Sequence, residues 1–91
     1  MFILISYDVT DDQVRFRLAR TLKDFGKRVQ KSVFEAEIDE TELARLRQQL
    51  SRVKLDSDDS IRLYRLCEGC VKTVQILGSG EVTKDPDIVV L

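Results

Sequence analysis

The chain opens on an apolar run, FILISYDV (residues 2–9), whose hydrophobic side chains occupy both parities of the sequence. Successive side chains of a strand point to opposite faces, so a run that is apolar at nearly every position needs to be covered on both sides. The run therefore predicts a central strand of a sheet. If the helices of the chain cover one face of that sheet, a second copy of the chain is the economical cover for the other.

Two later segments have the periodicity of amphipathic helices. The first follows TDDQ (residues 10–13), in which Thr10 is predicted as the N-cap of a capping box, and it ends before Gly26. The second follows Asp39, which is predicted to form a capping box with Glu42. The apolar positions at helical spacing are Val14, Leu18, Leu22 and Phe25 in the first segment, and Leu43, Leu46, Leu50 and Val53 in the second.

The other apolar segments are rich in the residues that favour strands. Residues 28–38 (RVQKSVFEAEI) are predicted as a β segment with a bulge near residues 30–32, because the alternation slips there. SIRLYRL (60–66) and TVQILG (73–78) are predicted as two further strands, separated by a turn that contains CEGC. We interpret the order as βαββαβ with an additional C-terminal strand, an α+β fold with a ferredoxin-like antiparallel sheet.

The length of the chain, 91 residues, predicts one domain and a tail. Residues 1–78 are assigned to the ferredoxin-like domain, and residues 79–91 to a tail that ends in the apolar IVVL (88–91). A domain this small hides a modest share of its surface, which favours a homodimer. Because an unpaired strand edge invites association, we predict that the apolar end pairs with an edge strand of the other protomer.

Composition excludes several classes of function. The chain contains no histidine and carries a formal net charge of −1. Without histidine, serine–histidine and cysteine–histidine catalysis are excluded, so carboxylates, hydroxyls or a metal-bound water must carry out any chemistry. No segment offers the ~18 apolar residues of a membrane span, and the start lacks the basic region of a signal peptide. We expect a cytoplasmic protein with no membrane partner.

Asp8 is the first candidate for chemistry, because it ends a strand that is otherwise apolar. A carboxylate held on a rigid strand end can act as a general base or as a ligand of a hard cation such as Mg²⁺. It can equally accept hydrogen bonds from the following turn. The residue alone leaves both interpretations open, whereas Asp11 and Asp12 are typical of a helix N-terminus.

Arginines are the second signal. They lie on the first predicted helix (Arg15 and Arg17), on the second strand segment (Arg28) and on the second predicted helix. Arginine binds phosphates bidentately, so a ridge of arginines can hold a nucleic-acid backbone without reading its sequence. Acids are as numerous as bases, however, and charge alone therefore favours a solvated surface.

The CEGC motif (residues 67–70) is a lone CxxC. Zinc would need two further protein ligands, from a second copy or from carboxylates. Thioredoxin-type chemistry expects the motif at the start of a helix, and here it is predicted in a turn between strands. We therefore interpret Cys67 and Cys70 as cytosolic, structural thiols at a tight turn.

Several short motifs together resemble the CRISPR-associated protein 2 family, the small partner of the CRISPR integrase. They are YDV (7–9), Asp12, Arg15 and Arg17, Gly26 followed by RVQKSVFE (28–35), and RLYRLC (62–67). The similarity covers essentially the whole chain, in order and at compatible spacing.

The resemblance implies a ferredoxin-like homodimer that takes part in spacer capture with the CRISPR integrase subunit. It places the family's Mg²⁺ ligand, proposed for phosphodiester hydrolysis, at Asp8, and it makes Arg15, Arg17 and Arg28 candidates for contacts with RNA or DNA. The residues expected to support the site are Tyr7 by packing, Ser32 by hydrogen bonding and Phe34 from the matching segment.

Three functions remain open at this point. The first is a Mg²⁺-dependent endonuclease acting on single-stranded RNA or double-stranded DNA, and the second is a non-catalytic adaptor that clamps DNA and bridges integrase dimers. The third, a metabolite sensor, lacks a glycine-rich ligand loop. Because no second acid accompanies Asp8 in one chain, we expect a two-fold axis to bring Asp8 of both protomers to one cleft.

Overall fold

Seven elements of secondary structure run through residues 1–83, the part of the chain that this computed structural model describes. They are β1 (Phe2–Asp8), α1 (Asp12–Lys23), β2 (Lys27–Gln30), β3 (Val33–Glu37), α2 (Glu40–Leu50), β4 (Ser60–Leu66) and a short α3 (Glu68–Val71). The first six elements follow the predicted order βαββαβ.

The four strands form one antiparallel sheet in the order β2-β3-β1-β4. The first strand lies in the middle of this sheet, where it pairs with β3 on one side and with β4 on the other. This confirms both the central position predicted for the opening apolar run and the ferredoxin-like fold.

The hydrophobic core lies between the helices and one face of the sheet. From β1 it takes Ile3, Ile5 and Tyr7, which are at most 4% exposed. The helices contribute Leu18, Ala19, Leu22, Leu43 and Leu46. Since side chains alternate along a strand, the other parity of β1, which ends in Asp8, points to the opposite face. We call that opposite side the helix-free face.

The segment predicted as one bulged strand is a hairpin of two strands, β2 and β3. The chain turns at Lys31 and Ser32, and the irregularity in pairing lies between Arg28 and Gln30. The slip in hydrophobic alternation therefore marks both a bulge and a reversal of the chain. The carbonyl of Ser32 accepts a hydrogen bond of 3.1 Å from the backbone amide of Tyr7, which ties this turn to the central strand.

Gly26 was predicted as a helix stop, but close packing explains it better. The first helix ends at Lys23, with Asp24 as its C-cap. A Cβ atom on residue 26 would lie 2.2 Å from the carbonyl oxygen of Glu35. Only glycine allows the chain to pass this close to β3.

The cap of α1 is Asp11 and not Thr10, so the first predicted capping box is wrong. The Asp11 carboxylate accepts hydrogen bonds of 2.9 Å from the amides of Gln13 and Val14. Two acceptor oxygens on aspartate suit the exposed amides of a helix start. The predicted box between Asp39 and Glu42 is confirmed.

The predicted strand at residues 73–78 is also wrong, because no regular element follows α3 within residues 1–83. Gly78 and Gly80 adopt φ angles of +93° and +140°, which turn the chain out of an extended path. The segment instead lies along the hairpin: with Leu4 and β2 it lines a cavity of about 420 Å³. Thr83 donates to the Glu35 carboxylate from its amide at 3.3 Å and from its hydroxyl at 2.9 Å.

The C-terminal strand predicted at residues 88–91 lies outside the described residues, as does most of the predicted tail. Within residues 1–83, no helix is long and apolar enough to cross a membrane.

Candidate active site

Asp8 is exposed at the end of the central strand, on the helix-free face. Its neighbour across the sheet is Ser60, the first residue of β4. No side chain or backbone amide of residues 1–83 donates a hydrogen bond to the Asp8 carboxylate, and the turn that follows is held by other acids. The lone pairs of Asp8 are therefore open to solvent on a rigid backbone.

A second acid, Asp59, holds the loop that follows Asp8. One of its carboxylate oxygens accepts from the amide and from the hydroxyl of Thr10, each at 3.0 Å, and the other accepts from the amide of Asp56 at 2.9 Å. These bonds join loops that are 49 residues apart in sequence. We call this contact the Asp59 clasp. The sequence analysis missed it, although an aspartate directly before a strand is a common loop-fixing residue.

The clasp stabilises the fold in a pH-dependent manner. Hydrogen bonds from the amides of Asp56 and Thr10 hold the pKa of Asp59 below its ordinary value of 3.8. A carboxylate with a lowered pKa in the folded state adds stability above its unfolded pKa, and loses that contribution as the pH falls through its folded pKa.

We therefore expect Asp59→Ala to lower the urea midpoint of unfolding at pH 7. The difference from wild type should shrink below pH 3.8, where the clasp carboxylate of the wild type becomes protonated. Asp58→Ala is the matched control, since Asp58 is exposed and makes no hydrogen bond with residues 1–83. Equal midpoints for wild type and Asp59→Ala at pH 7 would contradict the role of the clasp.

The three residues predicted to support the site lie beneath the strand end and not beside the Asp8 carboxylate. Tyr7 is 4% exposed, and its ring centroid is 6.4 Å from that of Phe34, which is fully buried. The Tyr7 hydroxyl donates to the carbonyl of Lys31 at 3.5 Å. Ser32 contacts Tyr7 through its backbone carbonyl. Together they fix the last residues of β1 against the hairpin turn.

Two of the three predicted arginines hold backbone near the strand end. Arg15 donates from one nitrogen to the carbonyls of Val9 at 3.0 Å and Thr10 at 3.2 Å, and its other nitrogen pairs with Asp12. Arg28 donates twice to the carbonyl of Lys31, at 3.1 and 2.7 Å. Its guanidinium also lies 5.8 Å from the centre of the Phe34 ring. The observed contacts of both arginines are thus structural.

Arg17 is placed differently. It is exposed on α1 and lines a hollow of about 350 Å³ between α1 and the end of α2, together with Arg52 and Lys54. Arg17 also lines a neighbouring hollow with Arg20 and Asp24. It makes no ion pair with residues 1–83. The structure therefore separates Arg17, in the helical layer, from the two arginines beside the strand end.

Within residues 1–83, no group of three or more acids and cysteines is arranged to hold a metal ion. Mg²⁺ in proteins is commonly bound through one or two carboxylates, with water and phosphate oxygens completing the shell. The exposed Asp8 carboxylate fits one such ligand. The remaining ligands would have to come from water, from substrate or from a second copy of the chain.

A ferredoxin-like sheet with an exposed aspartate at the end of its central strand defines a class of small proteins, and comparison with known proteins identifies the family. The family model described as CRISPR associated protein Cas2 matches residues 1–74. The chain belongs to this family, which confirms the resemblance found in its motifs.

Individual proteins agree with this assignment. The CRISPR-associated endoribonuclease Cas2 1 of Chloroflexus aurantiacus is 43% identical over 81 residues, which cover 88% of this chain and 87% of the relative. The crystal structure of Streptococcus pyogenes Cas2 at pH 6.5 has a TM-score of 0.74 and 31% identity, over 86% of this chain and 100% of that one. A chain of a partial Cas6-RT-Cas1–Cas2 complex has a TM-score of 0.59 and 28% identity, over 84% and 89%.

Proposed function

We propose that this chain acts in CRISPR adaptation as a dimeric, Mg²⁺-dependent endonuclease that hydrolyses phosphodiester bonds in single-stranded RNA or double-stranded DNA. One observation carries the proposal: the Asp8 carboxylate is exposed, unpartnered among residues 1–83, and fixed at the end of the central strand. The name endoribonuclease, given to the relative from Chloroflexus aurantiacus, supports a nuclease.

The dimer follows from the helix-free face. Across this face Phe2 pairs with Leu66, and Leu4 pairs with Tyr64, so apolar side chains form its centre. Tyr64 is 46% exposed, which leaves much of an aromatic side chain in water. A second copy that covers this centre across a two-fold axis would bury it. Asp8 belongs to the same face, and such an axis would bring the two Asp8 carboxylates to one cleft.

The two carboxylates would then hold a Mg²⁺ ion between the protomers. Such an ion polarises the scissile phosphate and lowers the pKa of a bound water, so that no histidine is needed. The residues of this chain supply position: the Asp59 clasp and Arg15 fix the loop after Asp8, and Tyr7 fixes the strand beneath it. Exposure of Asp8 lets a nucleic-acid backbone approach the carboxylate.

Arg17 is the arginine best placed to meet phosphates, because Arg15 and Arg28 are engaged with backbone carbonyls. We expect Arg17→Ala to weaken binding of all nucleic-acid sequences alike. It should also lower the slope of log affinity against log salt by about 1, as expected for one lost phosphate contact. The measurement is fluorescence anisotropy across a salt series. Arg47→Ala is the charge-matched control, because Arg47 is exposed on α2 and lines neither hollow. Equal slopes for Arg17→Ala and wild type would assign Arg17 to an ordinary solvated surface.

A second candidate is a non-catalytic adaptor that clamps DNA and bridges integrase dimers. Two observations favour it: no metal-binding cluster is formed within residues 1–83, and one structural neighbour is a chain of a Cas1–Cas2 complex. In this role the CRISPR integrase subunit is the partner, and Asp8 needs no metal.

A cleavage assay separates the two candidates. The purified protein is incubated with single-stranded RNA and with duplex DNA, in Mg²⁺ and in EDTA, and its association with the integrase subunit is measured by co-elution. Cleavage that requires Mg²⁺ supports the endonuclease. Co-elution without cleavage of either substrate, under conditions in which the protein binds it, supports the adaptor and contradicts the endonuclease.

A further inference from the structure

The CEGC motif occupies a different position from the one that its sequence predicts. Cys67 is the N-cap residue of the short helix α3, and Cys70 lies within that helix. Both are exposed, free cysteines. A first cysteine that precedes a helix and a second that lies one turn later is the arrangement found in thiol–disulfide exchange proteins. The geometric argument against redox chemistry, which assumed a turn between strands, therefore no longer holds.

The local contacts bring the two residues together and leave one sulfur accessible. The amide of Cys70 donates a hydrogen bond of 3.3 Å to the Cys67 sulfur. A Cβ atom on Gly69 would lie 3.9 Å from this sulfur, so the missing side chain leaves an open approach from that side. Cys67 thus has both a partner within one helical turn and space for an incoming molecule.

The two thiols also differ in acidity. Hydrogen bonds from the Cys70 side chain and amide lower the pKa of Cys67, because they stabilise its thiolate. The same interaction raises the pKa of Cys70, whose proton it retains. Because the thiolate is the nucleophile, this difference assigns attack to Cys67 and leaves Cys70 as the thiol that resolves a bound adduct.

We propose that Cys67 and Cys70 form a redox-active dithiol that exchanges with low-molecular-weight disulfides. The Cys67 thiolate attacks one sulfur of the small disulfide, whose S–S bond breaks and releases one half as a thiolate. Cys70 then loses its proton to solvent and attacks the Cys67 sulfur. The second half leaves, so that the protein is oxidised by two electrons and the small disulfide is reduced to two thiols.

This dithiol lies where the chain leaves β4 for the segment along the hairpin. The hydroxyl of Thr73 donates to the carbonyl of Cys70 at 2.7 Å, and ten residues later Thr83 binds Glu35. Closing a disulfide would fix the turn from which this segment departs. The proposal makes no use of Asp8, and its test is independent of nuclease activity.

Mass spectrometry after reaction with 2-hydroxyethyl disulfide at pH 7 tests the proposal. An uncharged probe is chosen because Glu68, between the two cysteines, would repel an anionic disulfide. Wild type should lose two hydrogen atoms and retain no adduct. Cys70→Ser should retain one half of the probe on Cys67, because nothing resolves it. Cys67→Ser should react roughly fivefold more slowly than Cys70→Ser.

Two results would overturn it. One is a wild-type protein that retains a probe half on each cysteine with no internal disulfide, since the residues would then not reach each other. The other is equal reaction rates for Cys67→Ser and Cys70→Ser, which would remove the assignment of Cys67 as the nucleophile. Both cysteines are exposed, and circular dichroism of the two serine variants checks that the fold is retained.

Discussion

Replacing Asp8 with asparagine is expected to reduce Mg²⁺-dependent cleavage roughly 100-fold or more while leaving the fold intact. The metal supplies several kcal/mol of transition-state stabilisation, and each ~1.4 kcal/mol lost slows the reaction about tenfold. In a dimer the substitution removes both proposed carboxylate ligands at once. The fold should survive because Asp8 is exposed and its carboxylate makes no hydrogen bond with residues 1–83.

The matched control is Asp58→Asn. Asp58 is exposed in the loop before Ser60, the residue that pairs with Asp8, so the control removes the same charge from the same end of the sheet. Initial cleavage rates of wild type and both variants are compared on RNA and on duplex DNA, with circular dichroism and sedimentation as checks of fold and dimer. A folded, dimeric Asp8→Asn protein that cuts as fast as wild type would rule out the shared metal site.

The second large effect is expected for stability. Phe34 is fully buried, where it contacts the Tyr7 ring and the Arg28 guanidinium. Phe34→Ala should lower the free energy of unfolding by about 3–5 kcal/mol, since it removes apolar burial and leaves a cavity. Small domains are stable by about 5–15 kcal/mol, so the variant would keep little reserve.

Phe16→Ala makes the same chemical change at a site that is 66% exposed, and it should alter stability by less than about 0.5 kcal/mol. Urea unfolding followed by circular dichroism measures both variants, at one protein concentration because a dimer is stabilised by mass action. Similar losses for Phe34→Ala and Phe16→Ala would show that the core is not where the structure puts it.

Much of the fold could be predicted because the signals are periodic and local. The apolar run at residues 2–9 predicts its central place in the sheet, and Asp39 with Glu42 predicts the second helix start. These features depend on side chains within a few positions of each other. The bulged segment at residues 28–38 was harder, because a slip in alternation is the same signal whether the chain bulges or turns back.

The errors concern choices that distant contacts decide. Thr10 and Asp11 are both good helix caps, and Asp11 takes the role because Thr10 is bound by Asp59, 49 residues away. The apolar TVQILG segment (73–78) has the composition of a strand, yet its glycines and its contact with the hairpin give it an irregular path.

At the candidate site, the sequence predicted where Asp8 would lie but not what the neighbouring arginines do. A guanidinium that binds phosphate and one that binds backbone carbonyls have the same local sequence. The contacts of Arg15 with Val9 and of Arg28 with Lys31 emerge only once the loops are folded.

The central position of β1 has a consequence for how this protein is made. One edge of β1 pairs with β3, but its other edge pairs with β4, which ends at Leu66. During synthesis the ribosome must therefore release more than sixty residues before both edges of the first strand are occupied. Until then the strand end that carries Asp8 has an apolar, unpaired edge, so the nascent chain is open to wrong strand pairing for most of its translation.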